Sequence, residues 1–106
     1  MDDDDLRDLF RGLGPITIRR MFGGKGIYHN GLITALVVQG EVLLKADTRS
    51  APEFEAAGCT QWTYESRSGK MAAMPYWSVP DSAIDDHEEM TIWARKAYEA
   101  SVRAKA

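Results

Sequence analysis

The sequence predicts an α+β domain in which helices pack on one face of an antiparallel sheet. Apolar residues recur at helical spacing near both ends of the chain, and the middle holds short β-like runs separated by Asn-Gly and Gln-Gly turn dipeptides. The length of 106 residues suits one domain. We therefore expect a single domain over residues 1–106, with its core from about residue 6 to residue 104 and the element order α-β-β-β-α-β-β-α.

Composition is that of an ordinary globular protein, with 44% hydrophobic and 27% charged residues. Cys59 is the only cysteine, so no intramolecular disulfide forms and a reducing compartment is favoured. The four aspartates of 2–5 are the opposite of the basic start of a signal peptide. No apolar run approaches the roughly 18 residues of a membrane span. These features predict a cytoplasmic protein with no membrane partner.

The first half of the chain predicts one helix followed by β-structure. Apolar residues at helical spacing place a helix over 4–13, and β-branched residues alternating with arginines predict a half-exposed strand over 16–21. Three further runs, 26–29, 32–38 and 41–46, form an antiparallel meander joined by the two turn dipeptides. The run 32–38 is almost continuously apolar, which is typical of a central strand.

The second half predicts a short helix and a second hairpin. Ser50 is a suitable N-cap for the helix, and Gly58 ends it. Strands over 62–65 and 71–77 follow, connected by a turn rich in serine and glycine. Pro75 lacks a backbone donor, so this last strand should lie at an edge of the sheet or be bulged at that residue.

The final helix should begin near Asp86, because Asp86 and Glu89 have the capping-box spacing, and reach about residue 103. A helical turn at Pro80 and Asp81 precedes it. We expect all helices to cover one face of the sheet. The other face would then be exposed or available to a second subunit.

Residues that could carry chemistry are few. His29 and His87 are expected at the surface, and neither has a potential metal ligand at useful spacing. Cys59 directly follows Gly58, which ends a helix, and is expected to be structural rather than nucleophilic. The acids of 85–89 suit a helix N-terminus without a cation. We therefore expect no catalytic residues, no metal site, no cofactor and no enzymatic activity.

Charge is unevenly distributed along the chain. The net charge of −3 and the pI near 5.3 oppose general nucleic-acid binding, yet every charge between Phe10 and Gly40 is positive. Glycines at 23, 24 and 26 lie among these cations, so the loop either holds a phosphate or carboxylate group or is a structural bulge that bends the first strand. The candidate binding residues are Arg19, Arg20, Gly23, Gly24, Lys25, Gly26, Tyr28, Lys45, Tyr76 and Trp77.

Aromatic residues are concentrated in the second predicted hairpin. Its rings are those of Trp62, Tyr64, Tyr76 and Trp77, with two cations, Arg67 and Lys70, between them. Rings on an open sheet face can stack on nucleic-acid bases. Packing in the core or in a dimer contact is the commoner use of such residues. Both alternatives stay open at this point.

Several spaced motifs resemble one known family. They are Arg20-Met21-Phe22-Gly23-Gly24, Gly26-Ile27-Tyr28, Leu44-Lys45-Ala46-Asp47, Phe54 to Gly58, Tyr76-Trp77, Val79-Pro80 and Trp93-Ala94. Together and in this order they resemble the N-terminal domain of the TfoX/Sxy competence regulators, over about residues 6–104. The resemblance implies an α+β fold similar to type III secretion chaperones, an architecture that is often dimeric.

In function, the resemblance implies transcriptional co-activation in natural competence, alongside the cyclic-AMP receptor protein. The full-length regulators carry a second, C-terminal domain that this sequence lacks, so we expect a stand-alone relative. The resulting expectation is a small, non-catalytic, homodimeric regulatory domain that binds a protein of the transcription machinery. One alternative is a binder of a small anionic ligand at Arg19, Arg20 and the glycine-rich loop, and a second is weak direct DNA binding.

Overall fold

The computed structural model describes residues 1–21 and 23–105, which form four helices and six strands. In chain order these are α1 (Asp3–Leu9), β1 (Thr17–Met21), β2 (Gly24–His29), β3 (Leu32–Val38), β4 (Glu41–Lys45), α2 (Ala51–Ala56), β5 (Gln61–Glu65), β6 (Met71–Ser78), α3 (Asp81–Ile84) and α4 (His87–Lys105). The predicted α+β class is confirmed. Phe22, which belongs to one of the family motifs, lies outside the described residues.

The element order differs from the prediction in two details. Four strands precede α2, one more than the predicted element order counts, and they correspond to the four runs predicted separately at 16–21, 26–29, 32–38 and 41–46. The helical turn at Pro80 and Asp81 is a separate short helix, α3. In α4 the Asp86 carboxylate accepts the backbone N–H of Glu89 at 3.1 Å, as the capping-box spacing predicted.

Helix α1 is shorter than predicted. Asp2 and Asp5 form a reciprocal capping box at its start, but the helix ends at Leu9 and not at residue 13. The chain continues in tighter turns, in which the Leu13 N–H donates to the Phe10 carbonyl at 3.0 Å. Phe10 and Leu13 are nevertheless buried, so the apolar spacing identified core residues correctly although the helix ends before both of them.

The six strands form one antiparallel sheet in the order β1-β2-β3-β4-β6-β5. The predicted meander is confirmed as β2-β3-β4. Its turns contain Asn30-Gly31 and Gln39-Gly40, and all four residues have positive φ between 50° and 79°. Consecutive positive φ values are those of the type I′ turn, whose twist matches that of the flanking strands.

The second hairpin, β5–β6, forms the far end of the sheet. Helix α2 carries the chain from β4 to this end, and β6 returns to pair with β4. Since β6 lies between two strands, Pro75 is not in an edge strand. Between the pairs Gln61–Trp77 and Thr63–Ala73, β5 has one residue and β6 has three, so the two extra residues of β6 lie around Pro75. The bulge is therefore the correct alternative.

Helices pack on one face of this sheet and enclose the main core. Phe54 of α2 lies at its centre, with its ring centroid 4.8 Å from that of Trp93 in α4 and 6.3 Å from that of Trp77 in β6. The strands contribute side chains from alternate positions, as expected when one face is buried. The buried strand residues of this face are Ile27, Ala35, Val37, Val42, Leu44 and Trp77.

The second face of the sheet is also partly buried. Leu43 and Tyr76 are almost inaccessible to solvent, although the described helices pack on the other face. Leu43 lies across from Ser78, and Tyr76 lies across from Lys45, so both belong to positions that alternate with the helix-facing core. The β5–β6 hairpin also faces this side of the sheet, because Trp62 and Tyr64 line one cavity together with Leu36 and Val38.

Candidate functional site

A groove of about 920 Å³ runs along the second face, between the bent hairpin and the start of the meander. We call it the concave groove. Its lining is Met21, Gly23, Gly24, Lys25, Leu36, Val37, Val38, Gln39, Trp62, Thr63, Tyr64, Glu65 and Met74. Strands β1 and β5 lie at opposite ends of the sheet, so both can line one groove only because the sheet curls strongly.

The walls of the concave groove are mainly apolar. Leu36, Val38 and Met74 are half-buried there, and Tyr64 has 52% of its surface exposed. The Trp62 and Tyr64 rings contact each other edge to face, with centroids 6.5 Å apart. Apolar side chains held in a concavity are typical of a ligand or protein site, and methionine adapts to partners of varied shape.

Sequence inspection missed most of this lining. Leu36 and Val38 belong to the apolar run that correctly predicted a central strand, but their face was not assigned. Six of the seven residues of β3 are apolar, which already indicates that both faces are covered and is the signal that could have revealed the second face. Met21 and Met74 gave no such signal, because only the curl of the sheet brings them together.

The structure separates the predicted arginine pair. Arg19 and Arg20 are neighbours in β1, and successive residues of a strand point to opposite faces. The Arg19 guanidinium lies over the Tyr28 ring on the groove face, 5.4 Å from the ring centroid. Arg20 lies across from Lys25 on the helix face. The two arginines therefore cannot hold one small anion together.

Arg20, Gly23, Gly24 and Lys25 do share a second cavity of about 500 Å³. The Lys25 ammonium, however, donates to the Asp3 carboxylate of α1 at 2.6 Å. This hydrogen bond lowers the pKa of Asp3, with smaller contributions from nearby charges that include Arg20. The acidic start of α1 thus neutralises Lys25 in this cavity, which opposes the binding of an anion there.

The glycine-rich loop has structural reasons for its glycines. A Cβ atom on Gly24 would lie 2.2 Å from the Val37 carbonyl oxygen, so only glycine allows β2 and β3 to approach this closely. Gly23 has φ of 77°, in the left-handed region. A Cβ atom on Gly26 would lie 2.6 Å from the Met21 side chain. The β1–β2 pairing runs without a register shift from Thr17–Tyr28 to Met21–Gly24, so the glycines serve a close-packed hairpin and do not form the predicted bulge in the first strand.

The remaining candidate residues fall on two faces as well. Tyr76 is buried on the groove face, where burial raises the pKa of its phenol, and Lys45 lies directly across from it. Trp77 points to the helices and packs near Phe54. Of the four aromatic residues in the hairpin, three share the groove face and Trp77 belongs to the main core, so a continuous stacking surface of four rings is not formed.

One expectation about the histidines is wrong. His29 is buried, with 9% of its surface exposed, whereas His87 is exposed as expected. The His29 Nδ1 lies 2.7 Å from the Pro15 carbonyl oxygen, a hydrogen bond in which the ring nitrogen donates. The imidazole also packs edge to face against Tyr98, with ring centroids 4.9 Å apart. These partners belong to distant parts of the chain and were invisible in the local sequence.

Comparison with protein-family models assigns the chain to a family. The family model described as TfoX N-terminal domain matches residues 8–101. The chain belongs to the TfoX N-terminal domain family. The predicted resemblance is thereby confirmed, and the match spans all six strands of this TfoX N-terminal domain. No curated protein matches the sequence.

We searched the described helices for a segment that could cross a membrane. None of the helices in residues 1–21 and 23–105 combines the length and the hydropathy that a transmembrane helix needs.

Proposed function

We propose that this TfoX N-terminal domain is a small, non-catalytic regulatory domain that binds an apolar segment of a partner protein in the concave groove. The observation that carries the proposal is the groove itself, an apolar concavity of about 920 Å³ on the sheet face away from the helices. Leaving such side chains in water is unfavourable by about 25 cal/mol per Å² of apolar surface. A partner that covers them recovers this free energy.

Two further observations support a non-catalytic role. Burial raises the pKa of the Cys59 thiol, which keeps the thiol protonated and poorly nucleophilic near neutral pH. His29 has one ring nitrogen committed to the Pro15 carbonyl and its ring packed on Tyr98. Neither residue lines the concave groove.

Charge supports a protein partner over DNA or a small anion. The net charge is −3, and the Lys25 ammonium, on the helix face, is paired with Asp3. DNA binding draws most of its free energy from unpaired cations that contact phosphates. We expect the partner to belong to the transcription machinery, in keeping with the role of the competence regulators that the family resemblance implies.

The test compares binding by three variants of the full chain. Val38→Glu and Met74→Glu each place a carboxylate on the wall of the concave groove, and Ile92→Glu makes the same change on α4, where Ile92 is 56% exposed. Each tagged variant is incubated with lysate from the cell of origin, and retained proteins are quantified by mass spectrometry. We expect a transcription protein to be retained by the wild type and Ile92→Glu and reduced at least about tenfold on both groove variants.

Thermal unfolding of the three variants shows whether each is folded before binding is compared. A partner that both folded groove variants retain as well as the wild type does would refute the proposal. Purified partner, titrated into the wild type and the variants, then gives the dissociation constants directly.

A further inference from the structure

Strand β5 ends the sheet, and in the described residues its outer edge has no neighbouring strand. The hydrogen bonds of the hairpin show which backbone groups point outward. Ser66 N–H donates to the Lys70 carbonyl at 2.8 Å, and Ser78 N–H donates to the Thr60 carbonyl at 2.9 Å. Since bonded and non-bonded pairs alternate in an antiparallel ladder, the residues between them that point outward are Gln61, Thr63 and Glu65.

This edge is complementary to itself. If two β5 strands run antiparallel with Thr63 opposite Thr63 of a second copy, all five residues of the strand are paired. Gln61 then lies opposite Glu65, and Trp62 lies opposite Tyr64. Threonine pairs, aromatic pairs and amide–carboxylate pairs all stabilise neighbouring strands.

Backbone and side-chain geometry favour the same register. The three outward-pointing residues would form the bonded pairs, each exchanging two backbone hydrogen bonds. Trp62 and Tyr64 would fall in a non-bonded pair, where side chains are closest. The Gln61 amide donates one N–H to the Met74 carbonyl at 3.0 Å and has a second N–H for the Glu65 carboxylate of the other copy.

Nothing in the sequence of β5 protects this edge. Natural edge strands carry lysine, proline or other charges that block pairing with a second chain. Strand β5 contains neither a cation nor a proline, and Thr63, Tyr64 and Glu65 are exposed. The carboxylate of Glu65, its one charge, would face Gln61 and not another carboxylate.

We propose that two copies of this chain pair antiparallel along β5, with a two-fold axis through Thr63. The two six-stranded sheets then form one continuous sheet, and both β5 edges are used, so the assembly closes as a dimer. The axis is perpendicular to the sheet, which keeps both concave grooves on the same side. Their aromatic walls, Trp62 and Tyr64, meet at the axis.

The first test compares the same substitution on the two edge strands. Thr63→Lys places two ammonium groups opposite each other at the axis, whereas Thr17→Lys adds the same charge to exposed β1. Sedimentation equilibrium over a concentration series measures the dimer dissociation constant. We expect a concentration-dependent wild-type dimer, a rise in the constant of at least about tenfold for Thr63→Lys and less than about twofold for Thr17→Lys.

The second test is a cross-link that does not depend on the strength of association. In a Cys59→Ser background, Thr63→Cys places two thiols on the axis, where a bonded antiparallel pair has Cα atoms about 5.5 Å apart, within disulfide range. We expect mild oxidation to yield a covalent dimer of this variant and not of Thr17→Cys in the same background. A monomeric wild type, or a dimer that Thr63→Lys leaves intact and Thr63→Cys does not cross-link, overturns the proposal.

The outcome is separable from that of the proposed function. Thr63 itself lines the groove, so the separating variants are Val38→Glu and Met74→Glu. These change groove residues outside β5 and should leave the dimer dissociation constant within about twofold of the wild type while partner binding is lost. Loss of dimerisation with partner binding retained, or the reverse, identifies which of the two proposals fails.

Discussion

The two edge strands of the sheet differ in how they meet solvent. Strand β1 carries Arg19 and Arg20, and its neighbour β2 is tied to α1 by the ion pair of Lys25 with Asp3. Strand β5 is uncharged except for Glu65 and belongs to a hairpin whose outer part is exposed. Self-pairing of β1 would place Arg19 opposite its own copy, whereas β5 would pair threonine with threonine. One edge is thus protected, and the other can accept a strand.

If β5 is an open edge, the β5–β6 hairpin must be held in place by packing at its base, where it meets the core, and not at its outer part. Phe54→Ala tests this anchor, since Phe54 is fully buried between Trp77 of β6 and Trp93 of α4. We expect a loss of about 3–5 kcal/mol in the free energy of unfolding, measured by urea titration. Tyr64→Ala, at the exposed part of the hairpin, is the matched control and should change stability by less than about 0.5 kcal/mol. Comparable losses in the two variants would contradict this anchoring.

The opposite end of the sheet depends on close contact between backbones. Gly24→Ala would bring a Cβ atom to 2.2 Å from the Val37 carbonyl, and β2 and β3 would have to separate locally. We expect a loss of about 1–3 kcal/mol in the same titration. Gly69→Ala in the β5–β6 turn, where a Cβ atom meets nothing within 4 Å but φ is 81°, should cost only about 1 kcal/mol. An equal effect of the two changes would show that Gly24 is not held by close packing.

An ion pair between α4 and the segment that follows β4 provides a test by pH. Arg103 of α4 donates two hydrogen bonds to the Asp47 carboxylate, at 2.7 and 3.0 Å, and these lower the pKa of Asp47. Because the folded-state pKa is depressed, this stabilisation is present above the unfolded pKa of about 4 and is lost as the pH falls below it. Asp47→Asn should cost about 1 kcal/mol at pH 7, given the partial exposure of the pair, and the difference from the wild type should shrink progressively as the pH falls below about 4. A stability difference between the wild type and Asp47→Asn that does not change with pH would show that the ion pair with Arg103 is not its source.

The smallest expected effect concerns the protected edge itself. Arg19→Thr removes the charge that would oppose its copy in a β1 pair, a contribution of about 0.5 kcal/mol. With both edges then open, dimers should join further through β1, and light scattering should detect particles larger than a dimer at high concentration. Arg11→Thr, an exposed arginine outside the sheet, is the control and should scatter like the wild type.

Local sequence predicted the elements that depend on neighbouring residues. The Asn30-Gly31 and Gln39-Gly40 turns, the Asp86 cap and the Ser66–Gly69 connection are short-range features, and each lies where it was predicted. The separation of Arg19 from Arg20 follows from the two-residue period of a strand and could also have been predicted. The helix–sheet core followed from periodicity as well.

Features that depend on distant parts of the chain were not predictable in this way. The burial of His29 requires Pro15 and Tyr98, which the fold brings to it. The two alternatives for Pro75 could be separated only by knowing that β6 has a neighbour on each side. The concave groove requires the curl of the whole sheet, which no segment of the sequence encodes alone.

The contact of Gly24 with the Val37 carbonyl has a consequence for how relatives of this protein can be compared. Gly24 belongs to the motif on which the family resemblance rests, and it is required by backbone packing. A shared motif of this kind identifies the curled architecture and carries no information about what fills it. Differences in binding preference between two such proteins would therefore reside in wall positions such as Trp62, Tyr64 and Met74, where side chains can change without disturbing the backbone.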